Sequence, residues 1–141
     1  MNVMSVMTPD PACCTATTPL REVARMMLDH DCGQIPVVDA AQRPIGVVTD
    51  RDIAVRIVAT GRNGNEATAA DAMTMPVRTV TTETSLADCV CLMEADQIRR
   101  VPVVDAGGKL AGIVSIADLA LAGKREATAE VVKEVSEPTR H

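Results

Sequence analysis

IPVVDAAQRPIGVVTDRDIA, residues 35–54, returns as VPVVDAGGKLAGIVSIADLA, residues 101–120. From Ile35 to Val101 the offset is 66 residues. With no gap, the same offset pairs Met7-Thr8 with Met73-Thr74 and Leu20 with Leu86. It also pairs Met27 with Met93, Gly46 with Gly112 and Asp52 with Asp118. A register held over that length marks two copies of one supersecondary unit.

Each copy reads as β-α-β-β-α. A short strand follows Met-Thr, PACCT in the first copy and VRTVT in the second. A helix comes next, with Thr18 as N-cap and Pro19 at its first position. Leu20, Val23, Ala24 and Met27 then fall at i, i+3, i+4 and i+7, one apolar face. Leu86, Cys89, Val90 and Met93 repeat that face, so Cys89 is expected as a buried core thiol. Two β-branched runs follow, IPVVD and IGVVT, joined by AAQRP; GGK marks the same turn in the second copy. A second helix, about Asp52 to Ala59, ends at Gly61. The expected organisation is repeat 1 over 1–62, a linker over 63–72, repeat 2 over 73–123, and a C-terminal helix and tail over 124–141. Short helical turns are expected before Met7 and Met73. One copy buries too little surface to be robust alone. The fold class is therefore α/β (α+β), two repeats packed sheet to sheet about a pseudo-twofold axis, with equivalent clefts between them.

Composition narrows the function. The 141 residues are 47% apolar and 23% charged, as in soluble globular proteins. No apolar run approaches a bilayer span, and the N-terminus carries no secretory pattern, so the expectation is a cytoplasmic protein with no membrane partner. A net charge of −5 argues against nucleic acid. Phe, Tyr and Trp are absent, so any bound base must lie between aliphatic side chains. The five cysteines form no CxxC and are expected as reduced thiols.

The chemistry concentrates where each apolar strand breaks off, at Gly46-Val-Val-Thr49-Asp50-Arg51-Asp52 and again at Gly112-Ile-Val-Ser115-Ile-Ala-Asp118. A carboxylate accepts two hydrogen bonds at once, which suits a cis-diol. The hydroxyl three residues earlier lies on the same side of the turn. The same four residues also satisfy a capping box, which needs no ligand. Arg51 opposes the helix dipole in its first turn. It is either neutralised by Asp50 and Asp52 at the surface or directed at a phosphate.

On these motifs the chain resembles a tandem pair of CBS domains, the regulatory repeats named after cystathionine β-synthase. Similar pairs occur in AMP-activated protein kinase and IMP dehydrogenase. The resemblance implies that Thr49 with Asp52, and Ser115 with Asp118, hold the ribose of an adenine nucleotide or related adenosyl ligand. It extends the ligand-binding set to Arg51, Ile35, Val101, Thr15 and Thr81. It also implies that Arg99 and Arg100 reach the phosphates of a ligand whose ribose sits on the first copy. Their counterparts Gly33 and Gln34 are uncharged, so the Ser115–Asp118 cleft should take phosphorylated ligands less well.

The expected activity is sensing, with no catalytic residues and no required cofactor. AMP, ADP, ATP, S-adenosylmethionine and NAD-type molecules all remain open as ligands. A homodimer is implied, its interface on the first helices and the C-terminal helix, together with a regulated protein on a separate chain. The alternatives are a structural or partner-binding module without ligand, and a thiol or metal sensor built on Cys13, Cys14 and Cys32 with His30.

Overall fold

The structure, a computed structural model, describes residues 1–123. The C-terminal helix expected over 124–141 lies outside the described residues. In the first repeat, helix α1 (Leu20–His30) buries Leu20 and Val23. Strands β2 (Gln34–Val38) and β3 (Pro44–Thr49) pair as an antiparallel hairpin. In the second repeat, α4 (Leu86–Asp96) buries Cys89 and Met93, and β5 (Arg100–Val104) pairs with β6 (Leu110–Ser115). The hairpins share one register at the offset of 66: Gln34 faces Thr49 as Arg100 faces Ser115. Both bulge at the same place, Val37/Val38 and Val103/Val104. Both turns are tied by an aspartate. Asp39 Oδ1 accepts the N–H of Ala41 and Arg43, and Asp105 Oδ1 accepts those of Gly107 and Lys109.

Each hairpin leads into a helix. Helix α2 opens with Asp50–Asp52 and continues as a wider, π-type segment, Ile53–Val58, in which the Ala59 N–H reaches the Ala54 carbonyl. The expected start at Asp52 moves to Asp50 because Thr49 caps the helix. In the second repeat residues 116–123 are helical and form α5.

The start of α1 also differs from expectation. Pro19 has ψ 140°, outside the helix, and the Thr18 side chain caps nothing there. Thr18 Oγ1 instead accepts the Thr15 N–H at 3.0 Å. Thr84 repeats this bond with Thr81, also at 3.0 Å. The hydroxyl is used in the turn before the helix, a known competitor of capping. Of these two helices only α4 is capped by a side chain, where Ser85 Oγ accepts the Asp88 N–H.

The strands after Met-Thr are shorter than expected. VRTVT yields β4 (Val80–Thr81), parallel to β5. PACCT yields a single bridge between Cys14 and Val37.

The Met-Thr pairs themselves cross between repeats. Strand β1 (Thr8–Pro9) pairs with β6 of the second repeat. Thr74 pairs in the same sense with Val47 of the first. This crossing explains the glycine of each motif. A Cβ on Gly46 would lie 2.9 Å from the Thr74 carbonyl oxygen, and one on Gly112 would lie 2.8 Å from that of Thr8. The cores follow the crossing. Ala67, Ala69 and Ala72, from the expected linker, pack with Leu20, Val23, Ile35 and Val48, with Ala69–Ala72 forming a short helix, α3. Val3, at the N-terminal end of repeat 1, packs in a 3-10 turn with Val80, Cys89, Val101 and Val114 of repeat 2. Burying Val3 completely is worth about 1.5–3 kcal/mol. Each Met-Thr arm therefore ties the two repeats into one body.

Candidate functional site: two clefts and an arginine-lined groove

Both motifs form complete capping boxes. Thr49 Oγ1 accepts the Asp52 N–H at 3.0 Å, and Asp52 Oδ2 accepts the Thr49 N–H at 2.9 Å. Ser115 and Asp118 exchange the same bonds at 3.0 and 3.1 Å. One oxygen of each aspartate is thus committed to the backbone. Asp52 has further neighbours. Thr74 Oγ1 donates weakly to it, 3.4 Å from each oxygen, and Arg56 Nε stands 4.0 Å from Oδ1. Arg56 also donates to the carbonyls of Ala72 and Met73, so it fastens the crossing arm behind the aspartate. The residue equivalent to Arg56 in the second repeat is Ala122.

Two clefts lie between the repeats, lined by residues that correspond at the offset of 66. The first, of about 320 Å³, has aliphatic walls from Val47, Val77, Ile98 and Pro102, with Thr49 and Thr74 on its polar side. The Arg78–Asp96 ion pair borders it, Nε to Oδ2 2.6 Å. The second, of about 250 Å³, has Ile113, Pro36 and Cys32 where the first has Val47, Pro102 and Ile98. Ala12 and His30 replace the ion pair. Between them a groove of about 620 Å³ shares Thr49, Ile98, Gln34 and Arg100 with the first cleft. Arg51 and Arg99 line it as well, from opposite repeats, and Asp50 is the one acid on its wall. Three guanidinium groups against one carboxylate make this groove cationic in a chain whose net charge is −5. None of the three arginines has a carboxylate within 4.0 Å among the described residues.

The structure therefore brings Thr49, Arg51, Arg99 and Arg100 to one continuous surface, with Asp52 half-buried behind Thr49. Arg100, from the second repeat, also borders the second cleft, together with Asp10 and Asp31. Ser115 faces Arg100 across the β5–β6 pair. Asp52, Ser115 and Asp118 line none of the three cavities, and four further expected residues stand elsewhere. Ile35 and Val101 are wholly buried in the two cores. Thr15 and Thr81 are exposed, their hydroxyls turned to Thr17, Thr18 and Thr84. Each is held in a local threonine turn and borders none of the three cavities. Sequence reasoning missed Thr74 and Arg78–Asp96. The signal for Thr74 was present: Met-Thr recurs at the same offset as the motif glycine it crosses. Arg78 and Asp96 stand on separate elements and carry no sequence signal.

The cysteines divide by environment. Cys89 is fully buried, its thiol 3.9 Å from Met93 Sδ, as its helix position predicts. Burial, with Cys13 alongside, pushes the Cys14 thiol up to about 11, which disfavours the reactive thiolate. Burial raises Cys13 and Cys89 as well. Among the described residues no three of His, Cys, Asp and Glu come together as metal ligands, and no helix is long and apolar enough to cross a membrane.

Comparison with known proteins places these features. The family pattern described as CBS domain matches twice, at residues 3–59 and 69–125. An uncharacterized protein of Methanopyrus kandleri is 40% identical over 98 residues, 70% of this chain; the chain spans about half of that protein's length. Hypoxic response protein 1 of Mycobacterium tuberculosis is 34% identical over 119 residues, 84% of this chain and 82% of the relative. A crystal structure of hypoxic response protein I with two coordinated zinc ions matches with TM-score 0.79 and 32% identity, over 85% of this chain and 97% of that one. The CBS domain pair of protein MJ0100, in complex with 5′-methylthioadenosine and S-adenosyl-L-methionine, matches with TM-score 0.78 and 26% identity, over 89% and 98%. CBSX2 in complex with AMP matches with TM-score 0.75 and 25% identity, over 88% and 97%.

Proposed function

Since the chain belongs to the CBS domain family, as two tandem copies, we propose that it is a non-enzymatic sensor of an adenine nucleotide or related adenosyl ligand. The observation that carries this reading is the groove in which Thr49 and Arg51 of one repeat meet Arg99 and Arg100 of the other. A phosphate in a partly desolvated site needs charge-assisted partners, and three guanidinium groups supply them. The adjoining aliphatic cleft gives a base a flat slot without aromatic residues. The ribose diol takes the Asp52 oxygen that the capping box leaves to Thr74 and Arg56. Capping and binding are thus successive uses of one carboxylate. A ligand diol on Asp52 competes with Thr74, and through it acts on the arm that crosses between repeats. That links occupancy to the arrangement of the repeats, and so to a homodimer and a separate regulated protein. The two ligand-bound CBS pair structures of similar fold support the ligand class.

Thermal unfolding followed by circular dichroism tests this, since the chain has no Trp or Tyr. The expected outcome is a melting temperature that rises with AMP, ADP, ATP or S-adenosylmethionine. At a hundred times Kd the stabilisation is about 2.7 kcal/mol. No shift with any adenosyl ligand at millimolar concentration would leave the capping box as the whole role of the motif.

A further inference from the structure

We infer that Asp50 is a specificity-determining residue of the arginine-lined groove. Its carboxylate, on the wall that Arg51, Arg99 and Arg100 share, repels ligand phosphates and weakens the gain from each added phosphate charge. The inference rests on the nucleotide-binding reading above and adds a selection rule to it.

Two hydrogen bonds and the space left by a glycine set the position of Asp50, whose side chain is exposed. Its backbone N–H donates to the Gly33 carbonyl at 2.9 Å. Its Oδ1 accepts the Arg51 N–H at 2.8 Å. Its Oδ2 lies 2.8 Å from where a Cβ on residue 33 would stand, so only glycine there leaves room for the carboxylate in this position. The second repeat keeps the backbone bond, Ile116 N–H to the Arg99 carbonyl at 2.8 Å. It carries the opposite side chains: an apolar residue replaces the acid, and an arginine replaces the glycine. Gly33, Asp50 and Arg99 then meet on one wall. The repeat thus supplies its own control, a groove with an acid contributed from one side and a base from the other.

The consequence is electrostatic. The number of guanidinium groups is fixed, while each phosphate added to a ligand brings more charge toward the carboxylate. Attraction to the arginines and repulsion from Asp50 both grow from AMP to ATP, so Asp50 trims the gain that each added phosphate would otherwise bring.

Calorimetry with AMP, ADP, ATP and inorganic tripolyphosphate tests this on the wild type, Asp50→Asn and Asp50→Ile. Glu22→Gln makes the same change in net charge on the outer face of α1. Asparagine keeps an oxygen for the Arg51 N–H, and Asp50→Ile reproduces the side chain of the second repeat. All titrations are run in EDTA and repeated with magnesium. Asp50→Asn should bind AMP about twofold tighter, and ATP and tripolyphosphate about five- to tenfold tighter, the reach of partly screened charges. Asp50→Ile should move the same way, and Glu22→Gln should change little. Unchanged or weaker binding of ATP and tripolyphosphate by both Asp50 variants overturns the inference. So does weakening confined to magnesium, which would make Asp50 a cation ligand. If the wild type binds no nucleotide but Asp50→Asn binds tripolyphosphate, the nucleotide reading fails and this inference stands.

Discussion

Asp52 and Asp118 hold the same place in their repeats and close the same capping box. Their other neighbours differ. Asp52 has Thr74 at 3.4 Å, Arg56 at 4.0 Å and the three-arginine groove beside it. Asp118 has Ala122 in place of Arg56, and beyond Ser115 no hydrogen-bond partner among the described residues. The first aspartate is better placed for a charged ligand; the second is freer to accept one. The two clefts therefore separate two contributions that a single site would confound: acceptor availability and charge complementarity.

The largest effect expected follows from that contrast. Asp52→Ala should weaken binding of AMP or ATP by about 1.5–3 kcal/mol, the range for hydrogen bonds to a charged group. Asp118→Ala should cost less, because the second cleft sets one guanidinium, Arg100, against Asp10 and Asp31. Calorimetry on the two variants decides between the contributions. A greater loss for Asp118→Ala would mean that a free acceptor outweighs nearby cations, and the ranking of the clefts would reverse.

The crossing arms offer a second comparison, now of stability. Gly46→Ala and Gly112→Ala each push a Cβ against a backbone carbonyl, and against methionine side chains of the same arm as well. Both should lower unfolding free energy by about 1–3 kcal/mol, as overpacking does. Urea titration monitored by circular dichroism measures it. A neutral Gly112→Ala would show that the Thr8–Pro9 strand is not held against β6, and that the repeats are tied by one arm alone.

How far the sequence could be read depends on whether a feature lies within one copy or between two. Helix faces, hairpins and the buried state of Cys89 follow from local periodicity, and the gapless offset repeated each of them. The capping boxes were legible for the same reason, since their four residues are consecutive. The arm exchange was not. Ala67, Ala69 and Ala72 look like a linker because their packing partners, Leu20 and Val23, are over forty residues away. Thr15 and Thr81 looked like cleft residues by resemblance. A threonine three positions on, Thr18 or Thr84, draws each backbone N–H into a turn that no strand pattern announces. Asp50 was visible as a charge, but its place against Gly33 needs the fold.

The smallest expected effect uses the hairpin turns. Gln42 and Gly108 occupy equivalent positions, and both are left-handed, with φ 65° and 80°. Glycine enters that region without a steric penalty, whereas a residue with a Cβ does not. The rest of the turn is matched: Gln42 N–H donates to the Asp39 carbonyl and Gly108 N–H to that of Asp105, both at 3.0 Å. Gln42→Gly should therefore stabilise the protein, by up to about 1 kcal/mol once the added freedom of the unfolded chain is set against the relieved strain. Gly108→Gln should destabilise it by a similar amount. A Cβ at 108 meets nothing closer than the Arg43 side chain at 3.6 Å, so backbone conformation and not crowding would be responsible. The Gln42 carbonyl accepts the Leu110 N–H at 2.9 Å, a bond between repeats that both variants leave in place. Thermal melts of the two single variants and of the double swap measure the effect. Opposite shifts that cancel in the swap are expected, and shifts of the same sign would mean that the two turns are not equivalent.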